Sequence, residues 1–187
     1  MIVFLTEEKS MQVTLEKLIT AYWPQSTHGI SWIVLSFQGK SDLEKNIASK
    51  MKSWNYGTPH FVILRDQDGS DCKAVKTALL RKAKLSGRPF TVRVVCNELE
   101  SWFLGELDAV EAAYPKSKAS KYKHAAKFRY PDTLGNANQE LEKLVQDAGK
   151  VGRAEAIARF FDPTKCMSNS FKVFWRTATE LFGKESA

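Results

Sequence analysis

"VILRDQDGSDC", residues Val62 to Cys72, decides how the chain is read. An apolar run rich in β-branched residues stops at Arg65, and Asp66, Asp68 and Asp71 follow within a few positions. Such a run, closed by Gly69-Ser70, reads as a buried strand entering a turn. Carboxylates packed this tightly repel one another, so a bound cation, a helix N-terminus or water must offset their charge.

Strands and helices alternate on both sides of this stretch. Ile2 to Leu5 reads as a first strand, and Met11 to Trp23 has helical spacing through Met11, Leu15, Leu18, Ile19 and Tyr22. Trp32 to Phe37 is a second strand, followed by a helix over Asp42 to Trp54 with Ser41 placed as its N-cap. Phe61 to Leu64 is the third strand, and a helix runs from about Asp71 to Leu85 until Gly87-Pro89 breaks it. Thr91 to Cys96 is the fourth strand. Continuous apolar strands between helices predict an α/β fold: a mainly parallel sheet of at least four strands, strand three central, with helices on both faces. Past Cys96 no strand pattern returns. Glu98 to Leu104, Leu107 to Tyr114, Asn138 to Ala148, Gly152 to Phe161 and Ser170 to Phe182 read as helices. The chain therefore reads as a single domain, residues 1–187, with a sheet core at 1–97 and a helical C-terminal cap at 98–187.

Composition narrows the function classes. The 187 residues are 43% apolar and 26% charged, the profile of a soluble globular domain. No apolar run approaches the ~20 residues of a membrane span, and the N-terminus turns acidic at once, so a cytoplasmic protein without a membrane role is expected. Cys72, Cys96 and Cys166 lie far apart, as do His28, His60 and His124. That spacing argues against zinc and for reduced, structural cysteines, Cys96 among them in the core. Lys plus Arg exceed Asp plus Glu by 28 to 21, a net charge of +7. The excess is concentrated between Glu111 and Asp132, where no acid interrupts Lys116, Lys118, Lys121, Lys123, Lys127 and Arg129. Tyr114, Tyr122, Phe128 and Tyr130 are interleaved among them. Two readings stand for this segment: a track for a phosphate backbone with rings that stack on unpaired bases, or a solvated lysine face anchored by aromatics. P-loop, GxGxxG and GxSxG motifs are lacking. Gly39-Lys40-Ser41-Asp42 offers either a lysine and helix-start amides to a phosphate or an ordinary turn and cap.

In open parallel sheets, ligands gather at the carboxyl ends of strands. Glu7 and Glu8 follow strand one, Asp66 and Asp68 end strand three, and Glu98 and Glu100 follow strand four. Three strand ends thus carry carboxylates to one edge, an oxygen-rich set that suits Mg²⁺ or Mn²⁺. The competing reading makes each acid a helix cap or dipole partner, the role Asp71 is placed to play.

A strand running into a glutamate, then an Asp-x-Asp two strands later, resembles the Toprim domain. That is the metal-binding fold of topoisomerases, primases and overcoming-lysogenization-defect (OLD) nucleases. The stretches "FLTEEKSM", "GKSDLEK", "FVILRDQDGSDC", "CNELESWFLGEL", "KFRYPDTLGN" and "SNSFKVFWRTATEL" resemble a bacterial Toprim-like family of unknown function over nearly the whole chain. The resemblance implies Mg²⁺ (or Mn²⁺) held by Asp66 and Asp68, with Glu7 as ligand or general acid/base. Many Toprim domains have Gly directly after that glutamate; here it is Glu8, which leaves the choice between Glu7 and Glu8 open. Glu98 and Glu100 lie in a family-like stretch; their role is open, and completion of a second metal site by one of them is one alternative. Such families often stand beside ATPases in phage-defence loci, so the resemblance also implies an ATPase partner.

Three readings follow. The first is a Mg²⁺-dependent nuclease or phosphotransfer domain acting on nucleic acid held by Lys40 and the Lys116–Arg129 segment. The second is a non-catalytic Toprim-like module that binds a protein partner or nucleic acid. A small-molecule phosphohydrolase is the third, and the basic flank speaks against it.

Overall fold

A computed structural model describes residues 1–145 and 149–185. Four strands, β1 (Ile2–Thr6), β2 (Trp32–Ser36), β3 (His60–Asp66) and β4 (Phe90–Val95), form one sheet in the order β2-β1-β3-β4. Every pairing is parallel. The expected α/β architecture is present, with β3 interior between β1 and β4.

Side-chain alternation divides the core in two. On one face Val3, Leu5, Phe61, Ile63 and Val92 pack under helices α2 (Lys40–Lys52) and α3 (Cys72–Lys84) through Leu43, Ile47, Met51, Val75 and Leu79. On the other, Ile2, Phe4, Val62 and Leu64 join Leu15 and Leu18 of helix α1 (Lys9–Tyr22) and the C-terminal helices. Those are α4 (Glu100–Leu104), α5 (Leu107–Ala113), α6 (Ala137–Leu144), α7 (Lys150–Ala158) and α8 (Asn169–Glu185). The first strand meets the last helix directly: the Phe4 ring stacks on Phe182 at 6.4 Å and meets Phe174 edge-on at 6.3 Å. Gly105, after α4, allows a close approach, since a Cβ there would lie 3.0 Å from both Cys166 Sγ and the Ser168 amide nitrogen.

Several boundaries differ from those the sequence suggests. β3 runs on through Arg65 and Asp66, both buried; Glu7, Glu44 and Asp68 meet the charge of Arg65 there. Helix α2 begins at Lys40 rather than after Ser41. Gly39, at φ +93°, turns the chain into it, and Asp42 accepts the Gln38 amide at 2.9 Å. Cys96 lies half-buried just past β4 and outside the core. The basic stretch is a succession of 3₁₀ turns, Pro115–Ser117, Ala119–Tyr122, Ala126–Phe128 and Pro131–Thr133. The helix expected from Asn138 to Ala148 stops at Leu144 among the described residues, and positions 146–148 of that expectation lie outside them. No helix among the described residues is long and apolar enough to cross a membrane.

Candidate functional site

The order β2-β1-β3-β4 places α1 on one face and α2 and α3 on the other, so the chain changes face between β1 and β3. The crevice beyond such a junction is the usual ligand position of an open parallel sheet. Glu7 leaves β1 there and Asp66 ends β3 there. The two are joined directly, because the Asp66 amide donates to Glu7 Oε2 at 3.2 Å.

The edge has two halves. In the half towards α2, Arg65 is buried against Glu44 at 3.0 Å, Glu7 at 3.7 Å and Asp68 at 3.9 Å. Lys40, the first residue of α2, reaches Asp68 at 3.1 Å. Asp68 itself adopts φ +52°, and its amide donates to the carbonyl of Asn97, which is also left-handed at φ +56°. Two non-glycine residues in that region hold each other at the turn after β3.

In the half towards α7, Asp66 and Glu100 are nearly sealed from solvent, 4% and 2% exposed. Asp66 Oδ1 and Glu100 Oε2 find no hydrogen-bond partner among the described residues. Burial pushes the Asp66 carboxyl well above the usual carboxylate range, and the charges of Glu100, Glu7 and Glu8 push the same way. Glu100 is raised by burial too, and Lys150 offsets only part of that. Glu7 is raised by burial and by Asp68, against the Asp66 amide and Arg65. The cation of this half is Lys150, at the start of α7, 2.6 Å from Glu8 and 3.9 Å from Glu100. Burial alone would lower its pKa, but Glu100 and Glu8 leave it raised.

Of the residues singled out in the sequence, the fold brings Glu7, Glu8, Asp66, Asp68 and Glu100 to one edge, with Lys40 beside them. Glu98 is directed elsewhere: it accepts the Asn138 amide at 2.8 Å and so caps the first turn of α6. The basic stretch divides likewise. Lys123 faces Asp108 at 3.5 Å, and Lys127 is paired with Glu140 at 2.6 Å while lying 4.7 Å over the Phe128 ring. Lys118 and Lys121 lie near Glu111 of α5, and Lys116 and Arg129 are exposed. Its C-terminal end reaches the acid edge through Asp132. The Asp132 backbone carbonyl accepts Asn97 Nδ2 at 2.6 Å, while its carboxylate holds Ser168 Oγ at 2.6 Å and the Ser170 amide at 2.7 Å.

Arg65 and Lys150 were not singled out in the sequence. Lysine in the first turn of a helix opposes the helix dipole, so Lys150 at the start of α7 carried a faint signal that an acid waits beside it. Arg65 carried one as the charge that interrupts an apolar strand.

The donor set is all carboxylate oxygen, which suits a hard divalent cation, and the two orphaned buried oxygens fit one. Among the described residues, no three His, Cys, Asp or Glu side chains are already arranged around a metal position.

Comparison with known proteins gives two matches. A family model described as "Domain of unknown function (DUF4276)" matches residues 6–177. Among solved structures, the chain is similar to the C-terminal region of the Xanthomonas campestris pv. campestris OLD protein. The TM-score is 0.51 and the identity 14%, over 100% of this chain and 97% of that one. At that identity the likeness bears on the fold. No curated protein matches the chain.

Proposed function

The chain belongs to the DUF4276 family, and on that footing we propose that it is a Toprim-like, divalent-metal-dependent nuclease module whose reaction centre is the strand edge. The observation that carries the proposal is the pair of buried carboxylate oxygens, Asp66 Oδ1 and Glu100 Oε2, without hydrogen-bond partners among the described residues. Leaving buried charge uncompensated costs several kcal/mol, so groups of this kind take up a proton or a cation. The resemblance of Glu7 and the Asp66-x-Asp68 pair to the metal-binding Toprim motif supports the choice of cation over proton.

Asp66 and Glu100 would hold Mg²⁺ or Mn²⁺, with Glu8 and Glu7 next to them. When bound, the ion would screen phosphodiester charge and acidify a water. The chain's own groups do the rest. Lys150 holds Glu8 and Glu100 in place and balances their charge. Glu7, its carboxyl raised by burial and by Asp68, is suited to hold and release a proton at the edge. Lys40, an exposed cation beside the edge, would meet a flanking phosphate. An ATPase subunit is the partner the sequence resemblance supports.

The test is to titrate Mg²⁺ or Mn²⁺ into chelator-treated protein, following thermal stability and cleavage of single- and double-stranded DNA and RNA. A metal-dependent rise in Tm with metal-dependent cleavage is expected. Metal-independent stability with no cleavage would overturn the reading.

One observation favours a second reading, a non-catalytic module that binds nucleic acid or a protein. Arg65, Lys40 and Lys150 already pair with Glu7, Asp68, Glu8 and Glu100 without any metal. If the edge serves only to bind, nucleic-acid affinity should be the same with chelator and with Mg²⁺. Neutralising Lys121 and Arg129 should then still flatten the log–log salt dependence, by roughly 0.9 for each duplex phosphate no longer gripped.

A further inference from the structure

We propose that Cys72 and Cys96 are a reversible redox pair, two thiols that close to a disulfide on the α2/α3 face of the sheet. Val92 and Val94 pack in the cluster under α2 and α3, and side-chain alternation puts Cys96 on that same face. The inward stripe of α3, Val75, Leu79 and Ala83, runs back at helical spacing to Cys72, its first residue. The two cysteines therefore meet where the start of the helix crosses the end of the strand. Both line one open cavity of about 260 Å³ together with Lys76 and Asp132. The Cys72 thiol is among the hydrogen-bonding neighbours of Cys96. Each is half-buried and so open to a small reagent, whereas Cys166 is fully buried.

The position ties the bond to the site. Cys72 follows the turn that carries Asp68, and Cys96 immediately precedes Asn97, whose carbonyl accepts the Asp68 amide. A bridge would fasten the β3 turn to the end of β4 at the point where both supply the acid edge. The co-reactant is a small disulfide such as oxidised glutathione. One protein thiolate attacks it, its S–S bond breaks, and one glutathione leaves as thiol. The second protein thiol then displaces the other glutathione from the mixed disulfide. Two protein thiols are oxidised, one small disulfide is reduced to two thiols, and these carry away both protons. None of this requires cleavage at the strand edge, so the pair stands or falls separately from the nuclease reading.

The experiment uses the full chain incubated with excess oxidised glutathione, then alkylated, digested and mapped by mass spectrometry without reduction. A Cys72–Cys96 peptide is expected, with Cys166 alkylated only after denaturation. Closing a loop of about 25 residues should raise Tm by about 6–12 °C, reversibly with dithiothreitol. The Cys72→Ser variant, altered at a half-exposed helix start, should fold and lose both effects. The proposal is overturned by a stable glutathione adduct on either cysteine without the bridge, by a disulfide-linked dimer, or by both thiols still alkylating freely.

Discussion

Asp66 and Asp68 are two residues apart and live under opposite electrostatic conditions. Asp68, in the turn, has Lys40 at 3.1 Å and Arg65 at 3.9 Å. Asp66, at the strand end, is buried with one oxygen unpartnered among the described residues, and three glutamates raise its pKa further. An Asp-x-Asp read from sequence looks like one motif. In the fold it is a neutralised acid beside a frustrated one, and the frustrated one is where the proposed cation would be held. The contrast arises because alternation sends Arg65 and Asp66 to opposite faces, so the guanidinium relieves only its own side.

Removing each acid in turn puts this contrast under the greatest strain. Asp66→Asn should lower Mg²⁺ affinity by more than about 100-fold, beyond the range typical of outer-shell partners, while the fold survives. Asp68→Asn should cost less, because its charge is already balanced. Equal losses, read by calorimetry of Mn²⁺ binding, would erase the distinction.

The pH dependence of the metal-free protein comes next in size. An acid whose folded pKa is raised carries no penalty below its unfolded value, near 3.8. As pH rises from there, the unfolded chain ionises while the folded one holds its proton, so stability falls until the folded pKa is passed. The slope attributable to Asp66 approaches about 1.4 kcal/mol per pH unit within that window. With chelator present, Tm should therefore decline from pH 4 upward, and Asp66→Asn should flatten the decline. A profile that the substitution leaves unchanged would show that Asp66 ionises freely.

Smaller effects separate the two halves of the edge. Lys150→Met leaves Glu8 and Glu100 without their cation and should destabilise the metal-free protein by about 1 kcal/mol, the half-exposed ammonium discounting the buried-pair value. Added Mg²⁺ should recover that loss, as chemical denaturation with and without metal will show. Lys40→Met, on an exposed pair, should cost no more than about 0.5 kcal/mol in the same measurement. A larger loss at Lys40 than at Lys150 would reverse the assignment of the two halves.

Much of this was legible in the sequence. Strand–helix alternation and the rule that ligands gather at strand ends brought Glu7, Glu8, Asp66, Asp68 and Glu100 to one edge. Local pattern could not tell Glu98 from Glu100. Which of them faces the edge depends on where α4 begins, and Glu98 is drawn off by the open amides of α6. Lys150 was hidden for another reason: it comes from a helix far along the chain, and packing rather than sequence distance makes it a neighbour of Glu8. The basic stretch was read by composition, yet four of its six cations lie against Asp108, Glu111 and Glu140. Composition counts charges but does not aim them.

Asp132 bears on how the protein comes into being. Its backbone steadies Asn97 and, through Asn97, Asp68, while its carboxylate is held by Ser168 and Ser170 at the start of α8. The same helix covers the Phe4 face of the sheet. On a ribosome adding about 5–20 residues per second, β1 emerges roughly 8–30 s before α8. Throughout that interval Asp132 has no serines to grip and Phe4 has no rings to pack against. A nascent chain therefore carries every acid of the edge but not the clasp that orders them.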